Sequence, residues 1–510
     1  ESTQTQAYFR ILADDWNRQH PDSEITKYIH QLAESEERAR VFCLYTGGQP
    51  VRLSLYADVM AEGGEEPEAL QDTYENAQRQ VNWDNEQNKP DERALQQIQF
   101  GVEGQFIDTL FANVGTLRAQ ILLALVRARR GLDGHQLHYV LDRRTGAKEW
   151  RENPDRLDEI EAEFAAMQGL SFIKLRPDER VVLQDELYRI YDAHAAVNEQ
   201  TRQDEIAARK RLYDQLIKFA DKRLSDLREE QREARLDDER SLHFGIVSPV
   251  RAITMRFPIP DEDEEEAAIK QNDLIWETEL ERLHYALRID PNHGFNDVYF
   301  DLADRAWSAN DENADAQTQA ELWQFIEDKF SRSFIIPPDR DAFRNRGETF
   351  WDVLTRAAEQ EDAARWLKRF VLRQQPKRAI DFADQLDMKI KQELTGFAKI
   401  SWQHTLSWGE RSCWREYART FIGESLHAIP LLEKTAAVLI RLSHPQGIDE
   451  REESGFVGHP AETRLYRIIG VTYNSLGYAR VQSGQFDQAV QDYAAALRYL
   501  RQAHFEAQTA

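Results

Sequence analysis

The sequence has few cysteines, few glycines and prolines, and no long apolar segment. Only Cys43 and Cys413 occur among 510 residues, which excludes a disulfide framework and predicts a cytoplasmic protein. No run of about 18 apolar residues is present, so we expect no transmembrane helix and no membrane partner. With 23 glycines and 16 prolines among many Gln, Glu, Ala, Leu and Arg residues, the composition predicts a mainly α-helical fold.

Positive charge is also scarce. The chain has 65 Lys and Arg residues against 90 Asp and Glu residues, which gives a net charge of −25. A nucleic-acid backbone or an anionic membrane would be repelled by a surface of this sign. We therefore expect neither of them as a general partner, although one face could still carry a local basic patch.

The common catalytic and phosphate-binding motifs are absent. There is no G-x-x-x-x-G-K-[ST] loop for a triphosphate, and no H-E-x-x-H, paired C-x-x-C or G-x-S-x-G motif. His135 and His138 lie three residues apart on one predicted helix, but without a third ligand a partly buried surface histidine pair is the simpler interpretation. Cys413 is interpreted as a core thiol. We expect no catalysis, metal or cofactor in this chain.

The pattern along the chain predicts five segments. Residues 1–100 form the helical part of a nucleotide-binding module with a connector, and 101–195 have the helices and short hairpin of a winged-helix domain. A charged linker helix and an extended, proline-containing segment follow over 196–260. Degenerate helical repeats are predicted over 261–460, and one tetratricopeptide repeat over 461–510. The second half is thus predicted to be an α-solenoid.

The tetratricopeptide pattern depends on small residues at fixed positions. Gly477, Ala489 and Ala496 would let two antiparallel helices approach closely, and Gly484 supplies the turn between them. Such repeats commonly bind other molecules, so we expect a protein or small-molecule ligand on them.

Four residues in the second half form a candidate ligand groove. They are Trp402, His404, Trp408 and Trp414. Aromatic residues at helix interfaces are usually part of the core, so a packing role and a ligand-binding role both stay open.

The candidate nucleotide site begins at the tight turn Gly47-Gly48-Gln49-Pro50, which leads into an amphipathic helix. By itself this is a good helix start, because proline at the first helical position has no N–H to leave unbonded. Later in the chain, Leu170–Leu175 and Val181–Leu183 flank the polar tip Arg176-Pro177-Asp178-Glu179, which predicts a β-hairpin.

The order of helical segment, G-x-P turn, helix, spacer, winged helix and helical repeats resembles the STAND family of signal-transduction ATPases. In that family the proline of the turn lies near the adenine, which the resemblance assigns to Pro50, with Gly48 beside it. The winged-helix hairpin commonly reads L-H-D, and its histidine touches the β-phosphate of ADP. The matching stretch here reads Leu183-Gln184-Asp185. Gln184 can donate a hydrogen bond but carries no charge, so ADP would be held less tightly.

The resemblance implies the regulatory and sensor portion of a switch that binds ADP or ATP with Mg in its full-length form and self-assembles on activation. Because the sequence starts at Glu1 rather than Met, we expect a fragment that lacks the phosphate-binding domain. One alternative is a helical-repeat scaffold without a nucleotide role. Another is a winged-helix transcription regulator, but Arg127, Arg129 and Arg130 are its only compact basic cluster in the helices of 106–142.

Overall fold

The computed structural model describes most of the chain, and the helices and strands below refer to that part. The described residues are 2–19, 24–61, 66–84, 87, 89–111, 116–141, 154–167, 170–244, 262–309, 311–328, 331–335, 349–394, 402–443 and 460–509. The predicted extended segment before residue 261 lies outside them. The described chain is mainly α-helical with one small antiparallel hairpin, which confirms that part of the prediction.

The chain divides into two compact units, Glu1–Phe219 and Ala220–Ala510. The helices that begin in the first unit are α1 (Ser2–Gln19), α2 (Glu24–Glu34), α3 (Glu36–Thr46), α4 (Pro50–Ala61), a short 3-10 helix (Glu68–Gln71), α5 (Tyr74–Gln80), α6 (Glu92–Phe111), α7 (Leu117–Arg127), α8 (Gly134–Leu141), α9 (Pro154–Met167), α10 (Asp185–Ala195) and α11 (Glu199–Phe244). The hairpin, β1 (Ile173–Leu175) and β2 (Val181–Leu183), lies between α9 and α10.

The turn between α3 and α4 follows from its glycines. Gly47 and Gly48 have φ of +68° and +65°, a left-handed conformation that residues with a Cβ rarely adopt. Gly47 is the C-cap of α3, and Pro50 is the first residue of α4. The GGQP sequence therefore ends one helix and starts the next within three residues, as its pattern predicts.

The hairpin is extended by one residue from the segment between α7 and α8. In the hairpin itself, Ile173 pairs with Leu183. Leu132 then pairs with Val181 through two backbone hydrogen bonds, of 3.1 and 2.9 Å. Gly131 permits this approach, because a Cβ at that position would lie 2.8 Å from the Val181 carbonyl oxygen. The hairpin is thereby attached to the helices that precede it in the chain.

The described part of the second unit consists of helices and the turns that join them. Its elements are α12 (Glu262–Ile289), α13 (Pro291–His293), a π-helical turn (Gly294–Tyr299), α14 (Phe300–Ala309), α15 (Glu312–Glu327), a 3-10 turn (Ser331–Phe334), α16 (Phe350–Leu372), α17 (Pro376–Leu394), α18 (Trp402–Phe421), α19 (Ser425–Ser443), α20 (Pro460–Gln482) and α21 (Phe486–Thr509). No helix in the described ranges is long and apolar enough to cross a membrane.

The last four helices pack on their neighbours in chain order, and α18 also packs on α20. Between α20 and α21 the small residues lie where the sequence predicts close approach. A Cβ on Gly477 would lie 3.0 Å from the Tyr493 ring, and Ala489 and Ala496 are buried. Gly484 has φ of +77° in the turn between the two helices.

Candidate functional site

Arg52 joins the start of α4 to two other helices. Its guanidinium donates from Nη1 to the carbonyl oxygen of Thr46 (3.2 Å) and from Nε to Glu186 Oε1 (3.0 Å). Its remaining nitrogen, Nη2, lies 2.8 Å from Glu103 Oε1. Thr46 is the last residue of α3, Glu103 belongs to α6, and Glu186 lies in the first turn of α10. One side chain therefore connects the G-x-P turn with α6 and α10.

Arg189 completes a cluster of four charged side chains, which are Arg52, Glu103, Glu186 and Arg189 itself. Its Nη2 lies 2.8 Å from Glu186 Oε1 and 3.2 Å from Glu103 Oε1. Hydrogen bonding from Arg189, together with the charge of Arg52, lowers the pKa of Glu186 against the opposing effect of burial. The pKa of Arg189 is raised by its hydrogen bond to Glu186. Two cations and two anions thus form a neutral, half-buried contact between α4, α6 and α10.

Asp58 makes a second connection near the other end of α4. Its Oδ2 accepts hydrogen bonds from the backbone N–H of Ser171 (3.0 Å) and from the Ser171 hydroxyl. The carbonyl oxygen of Ser171 accepts a hydrogen bond from the Gln184 side-chain amide. Because Asp58 is buried and Ser171 lies two residues before β1, this chain of hydrogen bonds attaches α4 to the base of the hairpin.

The structure places Pro50 and Gln184 on directly connected elements. Pro50 lies two residues before Arg52, Gln184 lies two residues before Glu186, and Arg52 and Glu186 form an ion pair. Gln184 is the N-cap residue of α10, and its backbone N–H donates to the Phe172 carbonyl oxygen (2.8 Å). The side-chain amide of Gln184 and its backbone N–H therefore both hold the start of α10 to the base of the hairpin. A contact between the Gln184 side chain and a nucleotide stays a prediction.

Gly48 lies against α1 and α3. A Cβ at this position would lie 3.4 Å from Cys43 Sγ and 3.6 Å from Thr5 Oγ1. A side chain here would therefore meet both neighbours and would also be strained by the positive φ. Those two distances are ordinary van der Waals contacts, so the positive φ accounts for the glycine independently of any nucleotide.

Sequence reasoning did not single out Arg52 and Asp58, although the sequence of α4 contains a reason to do so. They are the only charged residues in PVRLSLYADVMA. Several apolar residues of this helix are buried, among them Leu53, Tyr56 and Val59. A charge on a buried helix requires a partner, because desolvation of an unpaired ion is unfavourable. The partners lie 51 to 134 residues further along the chain, so only the fold identifies them.

A second group of charges joins α7, α10 and α11. Glu205 receives hydrogen bonds from Arg127 (2.8 Å), Arg209 (2.8 Å) and the Tyr191 hydroxyl (3.0 Å). Asp192 pairs with Arg129 and also with Arg209. Arg127 and Arg129 from the predicted basic cluster are thus paired with acidic side chains of the same unit. Both are therefore neutralised locally, which weakens the case for a DNA-reading surface at this position.

The predicted aromatic groove lies on α18. A helix turns by about 100° per residue, so tryptophans six positions apart are rotated by about 240° from one another. Trp408 and Trp414 therefore project from different sides of the helix. Trp414 packs on the cluster of α16 and α17 residues around Leu367 and Phe370. The side chains of Trp402 and His404 lie outside the described residues, and the groove stays a prediction.

The remaining candidates are a thiol and a histidine pair. Burial raises the pKa of Cys413 to about 11, and its Sγ lies 3.7 Å from Ser475 Oγ. A protonated, buried thiol agrees with the interpretation of Cys413 as part of the core. His138 is also buried. Among the residues that the structure describes, no group of three or more His, Cys, Asp or Glu side chains is placed to hold a metal ion.

Comparison with known proteins gave no match to a family model, to a curated protein or to a solved structure.

Proposed function

We propose that this chain is the regulatory and sensor portion of a STAND-type nucleotide-dependent signalling switch. The observation that carries the proposal is the double connection of α4, the helix that follows the G-x-P turn, to the hairpin and α10. Arg52 reaches Glu186 over 134 residues, and Asp58 reaches Ser171 over 113 residues. In such a switch the adenine side, near Pro50, and the hairpin side would change position together.

The proposed resting contact is suited to reversible opening. Exposed fractions of 13% for the Arg52 side chain and 21% for the Glu186 side chain show that the ion pair between them is largely desolvated. The desolvation penalty offsets most of the Coulombic attraction in such a pair, and separated ions recover hydration by water. An apolar contact of similar extent would lose about 25 cal/mol for each Å² exposed. The ionic contact can therefore open with a smaller change in free energy.

Gln184 gives the proposed switch a distinctive resting state. A neutral amide at the position of the family's histidine cannot supply a positive charge to the β-phosphate of ADP. Here the closed arrangement would depend more on protein contacts, namely the Arg52–Glu186 pair and the Asp58–Ser171 hydrogen bonds. A ligand could open it only by binding the open state more tightly than the closed state.

The other parts of the proposal concern the flanking elements. The group α6–α9, with the hairpin bridged to Leu132, is compatible with a winged-helix domain. The successive packing of α18–α21 is compatible with helical repeats that sense a protein or small-molecule ligand. ATP or ADP with Mg would bind only when the phosphate-binding domain is present, and self-assembly would follow activation.

The 510-residue chain should therefore release no phosphate from ATP above background, because it has no phosphate-binding loop. Phosphate release measures this directly. A protein expressed from the complete reading frame should contain such a loop and should bind ADP in equilibrium dialysis. Sustained turnover by the 510-residue chain would contradict the proposal.

The second candidate function is a helical-repeat scaffold without a nucleotide role. Gln184 supports this alternative, because its side-chain amide donates a hydrogen bond to the Ser171 carbonyl oxygen and so stabilises the fold. A complete reading frame without a phosphate-binding loop, whose product binds no ADP, would select the scaffold.

A further inference from the structure

The helix α21 has an apolar stripe exposed to solvent. Phe486, Val490 and Leu497 have exposed fractions of 63%, 69% and 55%. At about 100° per residue, the second and third lie within about 40° of Phe486 around the helix axis. The three side chains therefore form one continuous face. Scattered exposed apolar residues are ordinary, but an aligned stripe on one helix indicates a contact surface.

Charged residues lie along one side of this stripe, and their order is asymmetric. Asp487 is in the first turn of α21, whereas Arg498 and Arg501 are more than two turns further on. Relative to Phe486, Asp487 is rotated around the helix axis by about 100°, Arg498 by about 120° and Arg501 by about 60°. All three rotations have the same sense, so the three side chains lie on the same flank. One end of the flank is acidic and the other end is basic.

This pattern is complementary to itself in the antiparallel orientation. When two helices pair antiparallel around a two-fold axis, each flank faces the same flank of the other helix, with its order reversed. Asp487 of each copy then lies opposite Arg498 or Arg501 of the other copy. A parallel pair would bring the two different flanks together and would not produce this match.

The apolar stripe and the charges specify the same register. In an antiparallel pair, the numbers of two facing residues always add up to the same sum, which defines the register. Phe486 opposite Leu497 gives a sum of 983, and Asp487 opposite Arg498 gives a sum of 985. The two sums differ by two, so an axis near position 492 satisfies both contacts within one residue. The apolar face and the charged flank are thus compatible with one arrangement.

We propose that a second copy of this chain covers the stripe, through an antiparallel pairing of the two α21 helices. The interface is isologous, with Phe486 and Val490 of each copy packed near Leu497 of the other. The pairing uses only residues of α21 and does not depend on the proposed nucleotide switch. Because a single helix face contributes the contact, the dimer should dissociate on dilution.

The test is sedimentation velocity of the full 510-residue chain across a wide range of concentration. The parent chain should show a monomer–dimer equilibrium. The double variant Phe486→Ser/Val490→Ser should weaken the dimer by about tenfold or more, because apolar anchors dominate such contacts. The matched control is Val197→Ser, a valine of the first unit that is also mostly exposed (58%), which should leave the equilibrium unchanged. Circular dichroism establishes that every variant is folded.

A charge exchange tests the antiparallel register. Asp487→Arg and Arg498→Asp should each weaken the dimer by about threefold to tenfold, because each substitution creates two repulsive contacts across the axis. The combined variant should recover most of the parent affinity. A chain that stays monomeric at every concentration, a dimer that tolerates both serine substitutions, or a combined variant weaker than either single one overturns the proposal.

Discussion

Replacing Glu205 with alanine should lower the free energy of unfolding of the first unit by about 3–5 kcal/mol. The Glu205 side chain is only 5% exposed, and it accepts hydrogen bonds from Arg127, Arg209 and Tyr191. Without it, the buried Arg209 keeps Asp192 as its partner, while Arg127 loses its carboxylate. Arg127 and Arg209 would then have fewer carboxylate partners in a desolvated region. Removing one partner of a buried ion pair is strongly destabilising because it leaves buried charge uncompensated.

Chemical denaturation followed by circular dichroism measures the change, with the transitions of the two units fitted separately. The matched control is Glu199→Gln at the start of the same helix, where the Glu199 side chain is 68% exposed and pairs with Arg202. That substitution should change stability by less than about 1 kcal/mol. If Glu205→Ala were no more destabilising than the control, the Glu205 network would contribute no net stability.

The same network predicts the direction of the pH dependence of stability. Burial alone would raise the pKa of Glu205, but hydrogen bonding from Arg127 and the charge of Arg209 outweigh it and lower the pKa below 4.5. A lowered folded-state pKa means that the stabilisation by Glu205 is fully present above the unfolded pKa. It is lost as the pH falls from there through the folded pKa. The Glu205→Ala variant should therefore lose less stability on acidification than the parent chain.

Replacing Asp58 with alanine should destabilise the first unit by about 2–4 kcal/mol and increase hydrogen exchange at the base of the hairpin. The substitution removes the acceptor of two hydrogen bonds from Ser171, and a buried donor without a partner costs about 1–3 kcal/mol. The effect should reach residues 170–184 although the change is on α4. Denaturation and hydrogen exchange with mass spectrometry measure the two parts of this prediction.

The control for this prediction is Asp58→Asn. Both hydrogen bonds from Ser171 go to a single oxygen of Asp58, and an asparagine side chain retains one such oxygen. We expect Asp58→Asn to keep most of the stability and the protection of the hairpin. Equal losses for the alanine and asparagine variants, or unchanged exchange around Ser171 in the alanine variant, would show that this link does not hold the hairpin.

Local sequence signals predicted the elements of this fold better than their contacts. Two glycines followed by Pro50 identify the turn between α3 and α4, because positive φ and a proline start are local requirements. The apolar segments on either side of the polar tip predict a hairpin, and its strands lie at 173–175 and 181–183. These features depend on neighbouring residues only, so they can be recognised without knowledge of the three-dimensional arrangement.

The contacts of the site depend on residues far apart in the chain and could not be predicted in this way. Arg127 and Arg129 look like a basic patch in the sequence, but their partners Asp192 and Glu205 are supplied by α10 and α11. The tryptophan spacing on α18 is a different case. Residues six positions apart are rotated by about 240° on a helix, so helical geometry alone could have separated Trp408 from Trp414.

The central claim is that α4 and the hairpin respond together to nucleotide. Hydrogen exchange should be compared, in the protein from the complete reading frame, with ADP bound and with a non-hydrolysable ATP analogue bound. The claim predicts that peptides covering 46–61 and 170–187 are both protected with ADP, and that both lose protection with the ATP analogue. Nucleotide binding that leaves both peptides unchanged, or that alters only one of them, would contradict it.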